Sequence, residues 1–461
     1  MFAAMARLLA LNGVAVAQEI LRRPAEGAAH GAGGPRRLST RARSKGILQP
    51  MTATTLDLPT GQSNRRTQLR WLGGGHFIAH FSMLIFATAA LEMGPEYGAT
   101  YGARLALATG GFIAFGALAV AWGWLADRRG AEGLLKLFAW GVAATLALAA
   151  FAPATPGLGA VWLAVALTGI GIAGAIYHPV ANSVIAGWGQ ASGSAFALNG
   201  VFGNVGIAMA PLAAAGLIAL LGWRAAFFIP AIAAVILALS QPRGLGFGVH
   251  AAAEAGSTAA VPGAIRIALI VLSILAAVDG VIFNLATIAL PKLLSERGAM
   301  FGADPQATAA SLGTIGLIGS IVTLFGAGAQ ILVGRLLARW SALALLAPAA
   351  AMQVLGGLLM ATDSLYGFGA GLLLLFMAIF ALATLGDAAA ALVLPPAFRG
   401  RGYAWLYLLS FLSGAVAAPL AAYLADHGGM VGAAGFIFGF GLISLVGAVF
   451  LAWRRRLTSL A

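Results

Sequence analysis

The sequence has no cysteine among its 461 residues. Disulfides, thiolate metal sites and a cysteine nucleophile are therefore excluded together. Charge is nearly as scarce: Asp, Glu, Lys and Arg make up 9% of the chain, against roughly 25% in a soluble domain. That shortage excludes a soluble enzyme, a disordered protein and a nucleic-acid binder. Acids are the scarcer sign, with 14 Asp and Glu against 27 Lys and Arg. The basic residues nevertheless fall in loops and in the N-terminal tail, where they set membrane orientation rather than bind nucleic acid. Also missing are a phosphate-cradling G-x-x-x-x-G-K-[ST] loop, an H-E-x-x-H and a G-x-S-x-G. Neither ATP drive, nor an enzyme, nor a cofactor is expected.

What is present is apolar surface. Hydrophobic residues are 61% of the chain, mean hydropathy is +0.93, and apolar runs long enough to cross a bilayer as helices recur. The 63 glycines suit close helix approach in lipid. These features predict an all-α, multi-pass membrane protein whose first partner is the lipid bilayer. Twelve spans are expected, near residues 71–92, 104–125, 134–152, 158–182, 195–219, 224–241, 266–290, 308–332, 341–361, 367–393, 403–424 and 433–453. Residues 1–70 read as a disordered basic tail, with Met51 as an alternative start and a targeting peptide as the other reading. Residues 242–265 read as a cytoplasmic linker between a bundle at 71–241 and one at 266–456.

With the N-terminus inside, loops from Arg65 onward place 15 basic residues on the inner side and four (Arg104, Arg224, Lys292 and Arg297) on the outer. The bias predicts both termini in the cytoplasm and an inner-membrane location. The halves also repeat. GWLADR at 123–128 aligns with GRLLAR at 334–339, Gly193 with Gly402, and Pro211 with Pro419, at offsets of 211, 209 and 208. Two pseudo-symmetric six-helix bundles are a known carrier plan.

The loop residues Gly123, Leu125, Asp127, Arg128 and Gly130 match the G-x-L-A-D-R-x-G pattern between spans two and three of the major facilitator superfamily, which residues 71–456 resemble. Ala131 and Glu132 stand where the pattern closes on a basic pair. GHFIAH at 75–80, YHP at 177–179 and LNGVFGNVG at 198–206 look similar to the fosmidomycin-resistance-like and magnetosome-type branch. The resemblance implies the superfamily's twelve-helix fold, alternating access, a monomer, and a latch formed by Gly123, Asp127, Arg128 and Gly130. Two departures weaken an antiporter assignment: span four lacks the arginine of many proton-coupled exporters, and the span-five glycines 200, 203 and 206 precede Pro211 at altered spacing.

Ionisable groups inside the bilayer are costly and normally functional. Five such residues, His76, His80, His178, Asp279 and Asp387, fall in spans one, four, seven and ten, which the resemblance makes the cavity-lining helices. Asp279 lies about 20 Å along span seven, near the midplane, with a structural hydrogen bond as its bland alternative. His178 and Asp387 occupy equivalent repeat positions and are expected to face each other across the cavity as a proton or cation site. His76 and His80, four residues apart, share a helix face. With no third ligand beside them in sequence, cavity hydrogen bonding is expected rather than a metal site. Pro179 should kink span four, Gly200, Gly203, Gly206 and Pro211 should serve helix packing, and Asp127 should open span three at a helix N-terminus. Proton-coupled export of a small-molecule substrate is the expected function. Movement of a metal ion or small anion, and a non-transporting sensor or assembly factor, are the alternatives.

Overall fold

The computed structural model describes residues 60–188, 192–242, 263–301, 308–394 and 399–458. The regular elements among them are helical: α1 (Thr60–Glu92), α2 (Tyr101–Ala106), α3 (Thr109–Ala117), α4 (Ala119–Arg129), α5 (Glu132–Ala150), α6 (Leu158–Gly174), α7 (Tyr177–Ala186), α8 (Ser192–Leu221), α9 (Ala225–Leu239), α10 (Gly263–Glu296), α11 (Thr308–Leu336), α12 (Ala342–Met360), α13 (Leu365–Val393), α14 (Arg399–Leu412), α15 (Gly414–His427) and α16 (Gly429–Thr458). Among the described residues, ten helices are long and apolar enough to cross a bilayer. An eleventh is the pair α2–α3 and α4, bent by 44°, and the short apolar α9 takes the sixth place in chain order. Outward faces are apolar, as at Leu220, Leu239 and Val446, the surface a helix presents to lipid rather than to water.

Span four is interrupted between α6 and α7 at Ala175 and Ile176. Pro179 has no N–H to offer the Ala175 carbonyl, so the ladder opens one turn before it. Small residues set the approach of α1 to α8. A Cβ at Gly206 would sit on the Phe77 carbonyl oxygen and 3.0 Å from the Phe77 Cα. Pro211 of α8 packs against Gly316 and Gly319 of α11. One apolar core runs through both groups of spans, from Leu72 and Phe138 to Phe376 and Ile437, because α8 packs on α11, α1 on α10, and α3 on α14 and α15. At the end of span two far from Arg128, Thr100 Oγ1 (2.5 Å) and the Gly102 N–H (2.9 Å) both donate to the Asp426 carboxylate of α15.

The structure corrects three boundaries. α1 begins at Thr60, so residues 60–70 of the expected tail are helix; between Gln62 and Leu72 there is no Pro or Gly to stop it, and Arg65, Arg66 and Arg70 reach outward, as snorkelling cations do. Residues 1–59 lie outside the described residues, as does 243–262 of the expected linker, whose last three residues belong to α10. Asp127 does not open span three. It lies in the last turn of α4, which runs on until Gly130 turns the chain at φ +74°, and Glu132 is the acid in the first turn of α5.

Candidate functional site

The described residues bring three imidazoles together. His76 and His80 project from one face of α1, and His178 enters from the first turn of α7, just past the break in span four. Their ligand nitrogens all lie within 4.8 Å of one another. The His76 Nδ1 is 2.7 Å from the Asn199 backbone oxygen. A carbonyl only accepts, so Nδ1–H donates, and the Nε2 of a neutral His76 ring is left as an acceptor. The His80 Nε2, 3.1 Å away, donates to it. Tyr177 stacks on His76 with ring centroids 5.1 Å apart and donates its hydroxyl to the Leu72 carbonyl (2.6 Å) and the Asn199 Oδ1 (2.8 Å). Asn199 is thereby fixed from two sides. The His178 Nε2 is buried without a hydrogen-bond partner among the described residues. The rings of Phe411 (4.8 Å) and Phe115 (5.8 Å) enclose that imidazole.

Gly203 makes the cluster sterically possible, since a Cβ there would lie 2.5 Å from the His76 Nε2. Gly206 serves α1 as described above. Gly200 does not share this role: a Cβ there meets nothing within 4 Å. Pro179 lies beside Gly123 of α4, where an added Cβ would fall 3.3 Å from its own.

His178 and Asp387 are not brought into contact. Phe411 of α14 stacks toward Tyr407 (6.1 Å), and the Tyr407 hydroxyl donates to the Asp387 carboxylate at 3.2 Å. Tyr403 donates to the Asp387 backbone carbonyl at 2.7 Å. Asp279 is held elsewhere: Ser444 of α16 (2.7 Å) and Gln353 of α12 (3.4 Å) donate to the same carboxylate oxygen. Its partners come from spans nine and twelve rather than from the helices that carry the imidazoles. Asp127 is exposed without a side-chain hydrogen bond or ion pair among the described residues, while the Arg128 guanidinium lies 3.5 Å over the Trp124 ring.

Polar residues outside the imidazole cluster join the two groups of spans. Asn204 of α8 donates to Gln330 of α11, and Gln330 reaches the Phe380 carbonyl (3.3 Å). Asn284 of α10 donates to Ser413 (3.2 Å). An amide inside an apolar run is the signal that could have marked Gln330 and Asn284.

Residues 72–247 match the Major Facilitator Superfamily family profile. Beyond that segment, the chain shares its fold with solved transporters. A bacterial homologue of the human lysosomal transporter Spinster, in an inward-facing and occupied conformation, superposes with a TM-score of 0.61 at 17% identity, covering 85% of this chain and 97% of its own. A D-xylose–proton symporter gives 0.61 at 18% identity, over 84% and 96%. The nucleoside transporter NupG gives 0.59 at 17% identity, over 83% and 97%. At such identities the likeness carries the fold and no substrate. No curated protein sequence matches the chain.

Proposed function

We propose that this chain is a secondary transporter of the cytoplasmic membrane, a monomer with both termini inside, that exports a small organic molecule in exchange for protons. Two bundles, 71–241 and 266–456, rock about a central substrate path. The observation that carries the reading is the contact of Phe411 with His178. It joins the imidazole cluster of the first bundle to α14 of the second, the helix whose Tyr407 holds Asp387. Rocking would part Phe411 from His178 and pull on the Tyr407–Asp387 bond in the same movement. Proton occupancy and access are then coupled through one helix. Asp279, bound to Ser444 and Gln353, braces α10 against α12 and α16 in this reading. The exposed Asp127 belongs to a latch that is released in this conformation.

The test is a sensitivity panel in an efflux-deficient bacterial host expressing the parent, His178→Gln or Asp387→Asn, with antibiotics and other small organic compounds. Resistance conferred by the parent and lost in both variants at equal membrane abundance is the expected result. Resistance that persists in both variants would remove the coupling role, and no protection against any compound would remove export.

A further inference from the structure

We infer that His76, His80 and His178 form a binding site for one divalent transition-metal ion of the zinc, cobalt, nickel or copper class. Imidazole is the ligand these ions share, and among the described residues this is the group of three such ligands that lie within reach of one another. Tetrahedral coordination at 2.0–2.1 Å places neighbouring nitrogens about 3.3 Å apart. The His76–His80 pair already stands at 3.1 Å, and the whole set lies within 4.8 Å, so closing the set draws its widest pair in by about 1.5 Å.

Two further features belong to a metal centre rather than to a packed core. The first is the tautomer of His76. Its Nδ1–H is taken by the Asn199 carbonyl, which turns the Nε2 lone pair toward the other rings. Metal-ligating histidines are held by such an outer hydrogen bond. Tyr177, bonded to the Asn199 side chain and to Leu72, fixes that outer shell in turn. The second is the buried, unpartnered His178 Nε2, for which an ion is a partner of the right chemistry. Gly203 leaves the space beside the His76 Nε2 open. Three neutral nitrogens leave a fourth position for water, hydroxide or an anionic substrate group, the arrangement of a working rather than a structural site.

The purified full chain in detergent, stripped with a chelator, is titrated with Co²⁺ alone and then with Zn²⁺. One Co²⁺ per chain, with the visible absorption of a four- or five-coordinate nitrogen site that Zn²⁺ abolishes, is the expected result. His80→Gln and His178→Gln should each weaken binding by about 100-fold or more, beyond the 10–100-fold typical of losing an outer partner, while Arg224→Gln leaves it unchanged. Absence of binding in the parent, or parental affinity in His178→Gln, overturns the inference. Should the glutamine variants not yield monodisperse protein, X-ray absorption at the zinc edge of the parent decides: three imidazole nitrogens support the site and fewer overturn it. Transport does not enter the readout, so the result stands apart from the proposed export.

Discussion

Gly206→Ala should destabilise the protein, and Gly200→Ala on the same helix should not. The added methyl at Gly206 falls on the Phe77 carbonyl oxygen and 3.0 Å from the Phe77 Cα. Ordinary carbon–carbon contact is about 3.5–4.0 Å, so α1 and α8 must part by roughly 0.7 Å. The neighbouring bond from the His76 Nδ1 to Asn199, 2.7 Å in the parent, would stretch to about 3.4 Å, past the range of an effective hydrogen bond. Overpacking costs about 1–3 kcal/mol and the lost bond about 1 kcal/mol. Replacing Gly by Ala in a helix returns up to about 1 kcal/mol. The net expectation is a loss of about 1–3 kcal/mol for Gly206→Ala. Gly200→Ala keeps only the last contribution, because nothing lies within 4 Å of its Cβ, and should be neutral or stabilising by up to about 1 kcal/mol. Thermal unfolding of both variants in the same detergent measures the pair. Equal shifts of the same sign would show that α1 and α8 do not meet as described.

Ser444→Ala leaves the partly buried Asp279 without its shorter donor and should cost about 1.5–3 kcal/mol, read as a lower unfolding temperature. Asp279→Asn should leave transport intact, since its partners lie on α12 and α16; loss of transport at normal abundance would return Asp279 to the coupling path. Tyr407→Phe removes the hydroxyl that serves the Asp387 carboxylate and should impair proton-driven transport in vesicles, whereas Tyr403→Phe, whose hydroxyl serves a backbone carbonyl, should lower stability alone. Arg224→Gln breaks bonds to the Tyr97 hydroxyl and the Ala152 carbonyl, both 2.9 Å, and should cost about 2 kcal/mol of unfolding free energy without changing Co²⁺ affinity.

The spans were legible because a twenty-residue apolar run has few alternatives in lipid. Helix ends were less so. A basic stretch such as RRTQLR looks like a tail on hydropathy, yet it continues α1 because the cost of its charges falls away at the interface. The repeat register aligned His178 with Asp387, but that register implied a contact that is not made, since Phe411 and Tyr407 lie between them. The i, i+4 spacing put His76 and His80 on one face. The third imidazole, about a hundred residues away, required the break at Ala175 and the glycine contacts of α8, neither of which periodicity encodes. Asp279 was the most conspicuous acid in the sequence. Its tie to Ser444 depends on which way one residue of α10 is rotated, which hydropathy cannot specify.

In the proposed rocking cycle, the Asp426 clasp bears on the balance between the two access states. Its bonds from Thr100 and Gly102 exist only while the ends of spans two and eleven touch, so they weight the population toward the state closed on that face. At about 1 kcal/mol each, given their partial exposure, the two bonds amount to a ratio of roughly 30 between the states. A chain carrying Asp426→Ala would then occupy the opposite-facing state some thirtyfold more often before any substrate arrives. A ligand that binds only from that side would show an apparent affinity improved by up to the same factor.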